Sequence, residues 1–370
     1  MSKRLNPSLE AKLIALGQAL IDQQAARVIV EPQRREAGCW FGGGNMVQAA
    51  DGTWYLVGRY RNHGDSRTGL SAGERGFELA IFASHDQGQT WEKQLAFTKA
   101  DLNVGTREVL SIEGSALRWN ASGIELFVST EKTNIGYPNG LETFLKPGTG
   151  VWTIEALSAS DLASLREATA TTVLQTDDPQ FIHVKDPFLF EPHHGTPYVL
   201  YCTHPFSWSS SNTAYALQHD QPTNLSASHF SFFPRGTTWD VAMTRGTAII
   251  PVPAVGAFVD QRISLIFYDG GECLRNLDEH AAAVRRPRGY SCEELGGLAY
   301  TVDDDLNHIY RLSTTEPMFV SPYGTGCSRY VDVLTTETRW VATWQQSQDD
   351  RSQPLVMHQL SYDQIHQFLA

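Results

Sequence analysis

Basic charge is scarce in this chain. Its 29 Lys and Arg face 41 Asp and Glu, a net charge of −12. Nucleic acid and anionic membrane surfaces are met by basic patches, so neither is expected as a partner. The longest basic run, Arg285-Arg286-Pro287-Arg288, stands close to Asp278 and Glu279 and reads as a local loop feature. Cysteine is sparse too. Cys39, Cys202, Cys273, Cys292 and Cys327 are odd in number and lack C-x-x-C spacing, which argues against a disulfide framework and a zinc site. No H-x-H or HExxH pattern occurs, so no metal is expected, and no cofactor is called for. No run approaches the ~20 apolar residues of a membrane span, and the N-terminus shows no apolar signal-peptide core. The expectation is a cytoplasmic protein.

What is present is material for a β-rich globule. Hydrophobic residues make up 41% of 370 and charged residues 19%, enough for a large core, while 30 Gly suit many tight turns. The chain opens with a helical extension over 1–26, with Asn6 as cap, Pro7 at the first helical position, and Leu9, Leu13, Leu16 and Leu20 at helical spacing. Val28-Ile29-Val30 reads as a short strand. Hairpins follow over 45–60, 112–128, 187–201, 242–268 and 330–344, marked by apolar alternation and turns such as Asp51-Gly52 and His193-His194-Gly195. After each hairpin comes a strand ending in a small or polar residue and an aspartate: Ser84-His85-Asp86, Ala159-Ser160-Asp161, Gln218-His219-Asp220, Val302-Asp303-Asp304 and Ser361-Tyr362-Asp363. Five repeats of four antiparallel strands predict an all-β, five-bladed β-propeller occupying 1–370 as one domain. The last repeat is a strand short. Val28-Ile29-Val30 is expected to supply it and close the ring.

Strand order sorts the loops onto two faces. The starts of the inner strands and the links between second and third strands share one face, and the aspartate-bearing turns lie on the other. The first face carries the long links, residues 59–76, 131–150, 203–211, 270–295 and 345–352. Long loops gathered on one end of a rigid scaffold are where sites usually form. The inner-strand starts add Trp40, Asn45, Glu113, Lys185, Asp186, Trp239, Asp240, Arg245, Arg329, Tyr330 and Asp332, a polar funnel of carboxylates, arginines and aromatics.

Two resemblances follow from short motifs. Ser84-His85-Asp86-Gln87-Gly88-Gln89-Thr90-Trp91 resembles the aspartate box of sialidases, a structural turn in which the aspartate binds backbone amides and the glycine takes positive φ. Lys185-Asp186-Pro187-Phe188-Leu189-Phe190 and Ile112-Glu113-Gly114-Ser115-Ala116-Leu117 resemble inner-strand starts of the five-bladed-propeller glycoside hydrolases, the group with arabinanases, xylosidases, fructosidases and mannoside phosphorylases. That resemblance implies a carbohydrate substrate and catalytic carboxylates from different blades. Many members carry an aspartate on the first inner strand. Here stands Gly42-Gly43-Gly44-Asn45, so Asn45 is expected to bind substrate and cannot act as a base.

Glycoside hydrolysis requires one protonated carboxyl and one carboxylate across the scissile bond. Asp186 and Glu113 are the leading candidates; alternatively Asp186 caps backbone amides and Glu113 pairs with arginine. Asp240 and Glu294 compete for a third role, while Glu293 reads as a solvated loop residue. Arg59 and Arg245 are expected to hold sugar hydroxyls or a substrate carboxylate, or to pair with these acids. With Arg329 they resemble the sialidase arginine triad, a weaker alternative given five blades and one good box. Trp40 and Trp208 are expected to stack on sugar, and Trp239 to do so or to pack between blades, a role open to each. His63 and His204 complete the binding set, reaching a hydroxyl or phosphate. The expected activity is an exo-acting glycoside hydrolase; the alternatives are a non-catalytic sugar-binding propeller, a phosphorylase or a lyase.

Overall fold

A computed structural model describes residues 4–62, 75–120, 123–272 and 293–370. His63, Cys273, Asp278, Glu279, the basic run at 285–288 and Cys292 lie outside the described residues. Helix Pro7–Leu20 starts as its sequence dictates: the Asn6 side chain accepts from Leu9 N, and Pro7 opens the first turn. Its leucines Leu13, Leu16 and Leu20 are fully buried against Leu298, Phe319, Trp340 and Trp344. Among the described residues no helix is long and apolar enough to cross a membrane.

Among the described residues five antiparallel sheets follow, the blades of a β-propeller; four have four strands, and the first has its inner strand in two pieces. Their innermost strands are Trp40–Gly42 continued by Met46–Gln48, then Val109–Asn120, His183–Phe190, Met243–Pro251 and Ser328–Thr335. Each pairs with the next strand of its own blade, as the five predicted hairpins require. Apolar residues at alternate positions fill the spaces between neighbouring sheets. Phe188, Phe190, Trp239, Ile249 and Tyr268, for example, form one cluster across the third and fourth blades.

The ring closes as expected. Arg27–Val30 is the outer strand of the fifth blade, antiparallel to Leu355–Ser361, with Val28 opposite Val356. Gln23 straps this join: it receives bonds from Trp344 Nε1 (3.1 Å) and Gln346 Nε2 and donates to Ser328 Oγ. As the missing strand of the last repeat requires, Ser361-Tyr362-Asp363 leads into no further strand. Ser361 instead caps the helix Tyr362–Leu369 in a reciprocal capping box with Gln364. In the turn at residues 84–91 Asp86 accepts from Thr90 N, Thr90 Oγ1 and Ser84 Oγ, with Gly88 at φ +83.

Candidate active site

All five innermost strands lose register at one level. The shifts fall between Ile112 and Ser115, Lys185 and Phe188, Gly246 and Ala248, and Arg329 and Asp332. In the first blade the inner strand is interrupted at Gly43-Gly44-Asn45. A bulge sets two residues against one and re-aims the side chain there. Gly43, Asp186 and Tyr330 take φ of +71, +54 and +54 at these points. For an aromatic this is strained, by about 1–3 kcal/mol, and it persists only where the surroundings enforce it. At Tyr330 they do: its N–H donates to both oxygens of Asp269 (3.1 Å), and the Arg245 guanidinium lies 4.0 Å over its ring.

Above the bulges lies a cavity of about 390 Å³. Arg59, Arg61, Arg75, Lys146, Lys185, Arg245 and Arg329 line it, with Glu113, Glu131, Glu293 and Glu294, the aromatics Trp40, Tyr137, Phe144, Trp152, Trp208 and Tyr330, and His204. Arg245 and Tyr330 also line a smaller space below it, which Asp186 faces together with Gly43, Asn45 and Gly114.

The two leading carboxylates stand beside the bulges of neighbouring innermost strands. Gly114 N donates to Asp186 Oδ1 (2.9 Å), which leaves no room for a side chain at Gly114. Asp186 Oδ2 faces Arg245 Nη1 (3.3 Å) and Lys185 Nζ (3.8 Å) and accepts from Cys202 Sγ (3.4 Å). Glu113 is fully engaged. Its Oε2 accepts from Arg59 Nε (3.0 Å) and Nη2 (2.7 Å), and its Oε1 from Arg61 Nη1 (2.8 Å). Burial would raise the proton affinity of Glu113, but Arg59, Lys185 and Arg61 overturn this and hold it well below the usual carboxylate range. Arg59 also donates to Gly42 O (2.9 Å) and is 1% exposed, so its donors serve the scaffold.

In the fourth blade Arg245 donates to Asp269 Oδ2 (2.6 Å) and Glu294 Oε2 (2.7 Å). Arg329 Nη1 reaches the same Glu294 oxygen (2.5 Å). Against the cost of burial, these two guanidiniums keep Glu294 far below its ordinary value. Glu294 thus stands as a carboxylate held between two guanidiniums. The neighbouring Glu293 behaves oppositely. Burial and the charge of Glu294 push it up, with Arg329 opposing. Sequence reading set Glu293 aside as solvated; it lines the cavity because the strand Leu295–Val302 begins only after it.

The other candidates divide between the frame and the cavity wall. Asp240 lines neither cavity; its Oδ2 accepts from Arg311 Nε (2.9 Å) and Tyr268 OH (3.4 Å). Trp239 packs along Tyr268 and donates to Ser313 O (3.1 Å), the packing alternative. Asn45 exchanges both amide bonds with Leu117 of the second blade (2.7 and 2.8 Å), and Asp332 accepts from Met46 N of the first (2.8 Å). Both are ties between blades, and Asn45 also borders the smaller space. Trp40 does border the cavity, but Arg61 and Arg329 lie over its ring at 4.6 and 4.5 Å. Trp208 also lines it, against His183 (4.2 Å) and His204 (4.6 Å). His204 Nδ1 donates to Ser210 O (3.0 Å), and burial with Lys185 and Arg245 nearby lowers its pKa to about 3, so it is neutral. The lining residues not singled out from sequence include Phe144, Lys146 and Trp152. Their signal was position alone, at strand starts or in long links of this face.

No protein-family model matches the sequence, and no curated protein matches it. Solved structures do. A glycoside hydrolase aligns with a TM-score of 0.61 at 10% identity, over 96% of each chain. A thermostable family-43 glycoside hydrolase aligns at 0.53 and 11%, over 90% of this chain and 92% of its own. An α-L-arabinofuranosidase from Lactobacillus brevis aligns at 0.53 and 10%, over 93% of each. The likeness is one of fold: this chain shares the five-bladed propeller of those enzymes.

Proposed function

We propose that the chain hydrolyses a glycosidic bond in the axial cavity, with Glu293 as proton donor and the carboxylates of Glu294 and Asp186 opposite the leaving group. The observation that carries this is the opposed pair Glu293 and Glu294. Both line one cavity, one pushed up by burial, the other held ionised between Arg245 and Arg329. Carboxyls driven apart in this way can divide the acid and base roles at one pH. The inner strands floor the cavity, which favours attack at a chain end, and the five-bladed hydrolases that share the fold support a carbohydrate substrate.

Leaving-group dependence tests the acid. Glu293→Gln is expected to slow cleavage of natural oligosaccharides at least ~100-fold while sparing aryl glycosides whose leaving groups depart unprotonated. Equal losses on both, or none, remove Glu293 from the role. A second reading, sugar binding without turnover, gains from the complete engagement of Glu113 by Arg59 and Arg61. It predicts saturable binding with no product over long incubation.

A further inference from the structure

Within an acidic protein the described lining of this cavity is cationic. Among the described residues seven cationic side chains line it against four carboxylates. Adding Asp186 and Asp269, which meet Arg245 from below, still leaves cations in excess. A neutral glycan gives no reason to gather charge of one sign in a space where bringing each cation out of water is costly.

One cation is also incompletely used. Arg329 is 7% exposed and spends Nη1 on Glu294, yet its Nε and Nη2 are buried with no hydrogen-bond partner among the described residues. Buried guanidinium N–H groups without acceptors are costly, and native proteins rarely leave them so. Their fork matches a planar or tetrahedral oxyanion. The side chain is fixed for this: its guanidinium lies over Trp40 (4.5 Å) and near Tyr330 (5.4 Å), the strained residue beside it in sequence. Lys185 adds a further ammonium on the wall, 4.6 Å over Trp152 and no nearer than 3.8 Å to Asp186.

We infer that the cavity takes an anionic sugar, one bearing a carboxylate, sulfate or phosphate ester, whose oxyanion is bound by Arg329 through Nε and Nη2. This rests on the axial cavity being the substrate site, as proposed above, and names the substrate class.

The test compares matched glycans on the full chain: uronic-acid, sulfated and phosphorylated oligosaccharides against neutral counterparts differing only in that group. Affinity is read by calorimetry and cleavage by chromatography on the same panel. At least one anionic member is expected to bind tenfold or more tightly than its neutral match, with the ratio shrinking as salt rises. Arg329→Lys and Arg329→Met are expected to remove most of that ratio. A ratio of two ligands on one variant is insensitive to a general loss of folded protein. If no anionic member outbinds its match, the inference falls. It falls as well if neutral glycans bind tightly only once inorganic phosphate is added, because the oxyanion would then come from solution. Anionic glycans bound but left intact would sink the hydrolase proposal and keep this one. Neutral glycans cleaved and anionic ones refused would do the reverse.

Discussion

At the scale of residues, the polar groups at the strand starts divide into those that hold blades together and those that face the cavity. Glu113 belongs mainly to the first kind. Glu113→Gln leaves Arg59 buried without its counter-charge, which typically costs about 3–5 kcal/mol. The expected outcome is a lowered unfolding midpoint in denaturant, not merely lost turnover; an unchanged midpoint would make Glu113 a cavity group after all. Asp332 gives a pH signature. Burial pushes its pKa up to about 7, against N–H bonds from Met46 and Val333. Between the ordinary value of 3.8 and about 7 the native state holds a proton the unfolded chain has released. Its stabilisation is therefore complete below pH 3.8 and is lost as pH rises through 7. Asp332→Asn keeps an oxygen for Met46 N–H and cannot ionise. Urea titrations should show the wild type losing roughly 1–2 kcal/mol across that window relative to the variant, less than full linkage because the side chain retains some solvent.

At the scale of elements, hairpins were legible because alternation and turn chemistry are local. Asp51-Gly52 and the capping signals at Asn6 acted where they stand. The site was legible only by position. Sequence put Glu113, Asp186, Arg245 and Glu294 at one mouth, since strand order alone decides that. It did not show that Asp240 would turn to Arg311, or that Asn45 and Asp332 would be spent on neighbouring blades, because these partners are distant in the chain. The bulges left faint marks. Glycines sit at or beside three of them, at Gly43, Gly114 and Gly246, and Asp186-Pro187 makes a fourth; nothing marked Tyr330, an aromatic held in a glycine conformation by Asp269 and Arg245. The opposition between Glu293 and Glu294 was equally hidden, because it depends on which of two adjacent carboxyls two arginines from other strands happen to reach.

At the scale of the whole molecule, the ring depends on its first strand and on the helix before it. Burial of Leu13, Leu16 and Leu20 contributes about 5–9 kcal/mol by transfer arguments. Removing residues 1–30 also strips the outer edge from Leu355–Ser361. The truncated chain is expected to melt about 10 °C or more below the full one, or to aggregate, as read by calorimetry and light scattering. A truncated chain that melts alongside the full one would show that the fifth blade stands on three strands.

The pairing of Val28 with Val356 also sets an order of events. During synthesis Arg27–Val30 is made well before its partner Leu355–Ser361, so the fifth sheet is completed only after the other four can have assembled. Contacts this distant make the final step slow. The waiting segment is only four residues long, with two of them solvent-facing in the finished ring, a poor template for pairing with strangers in the interval.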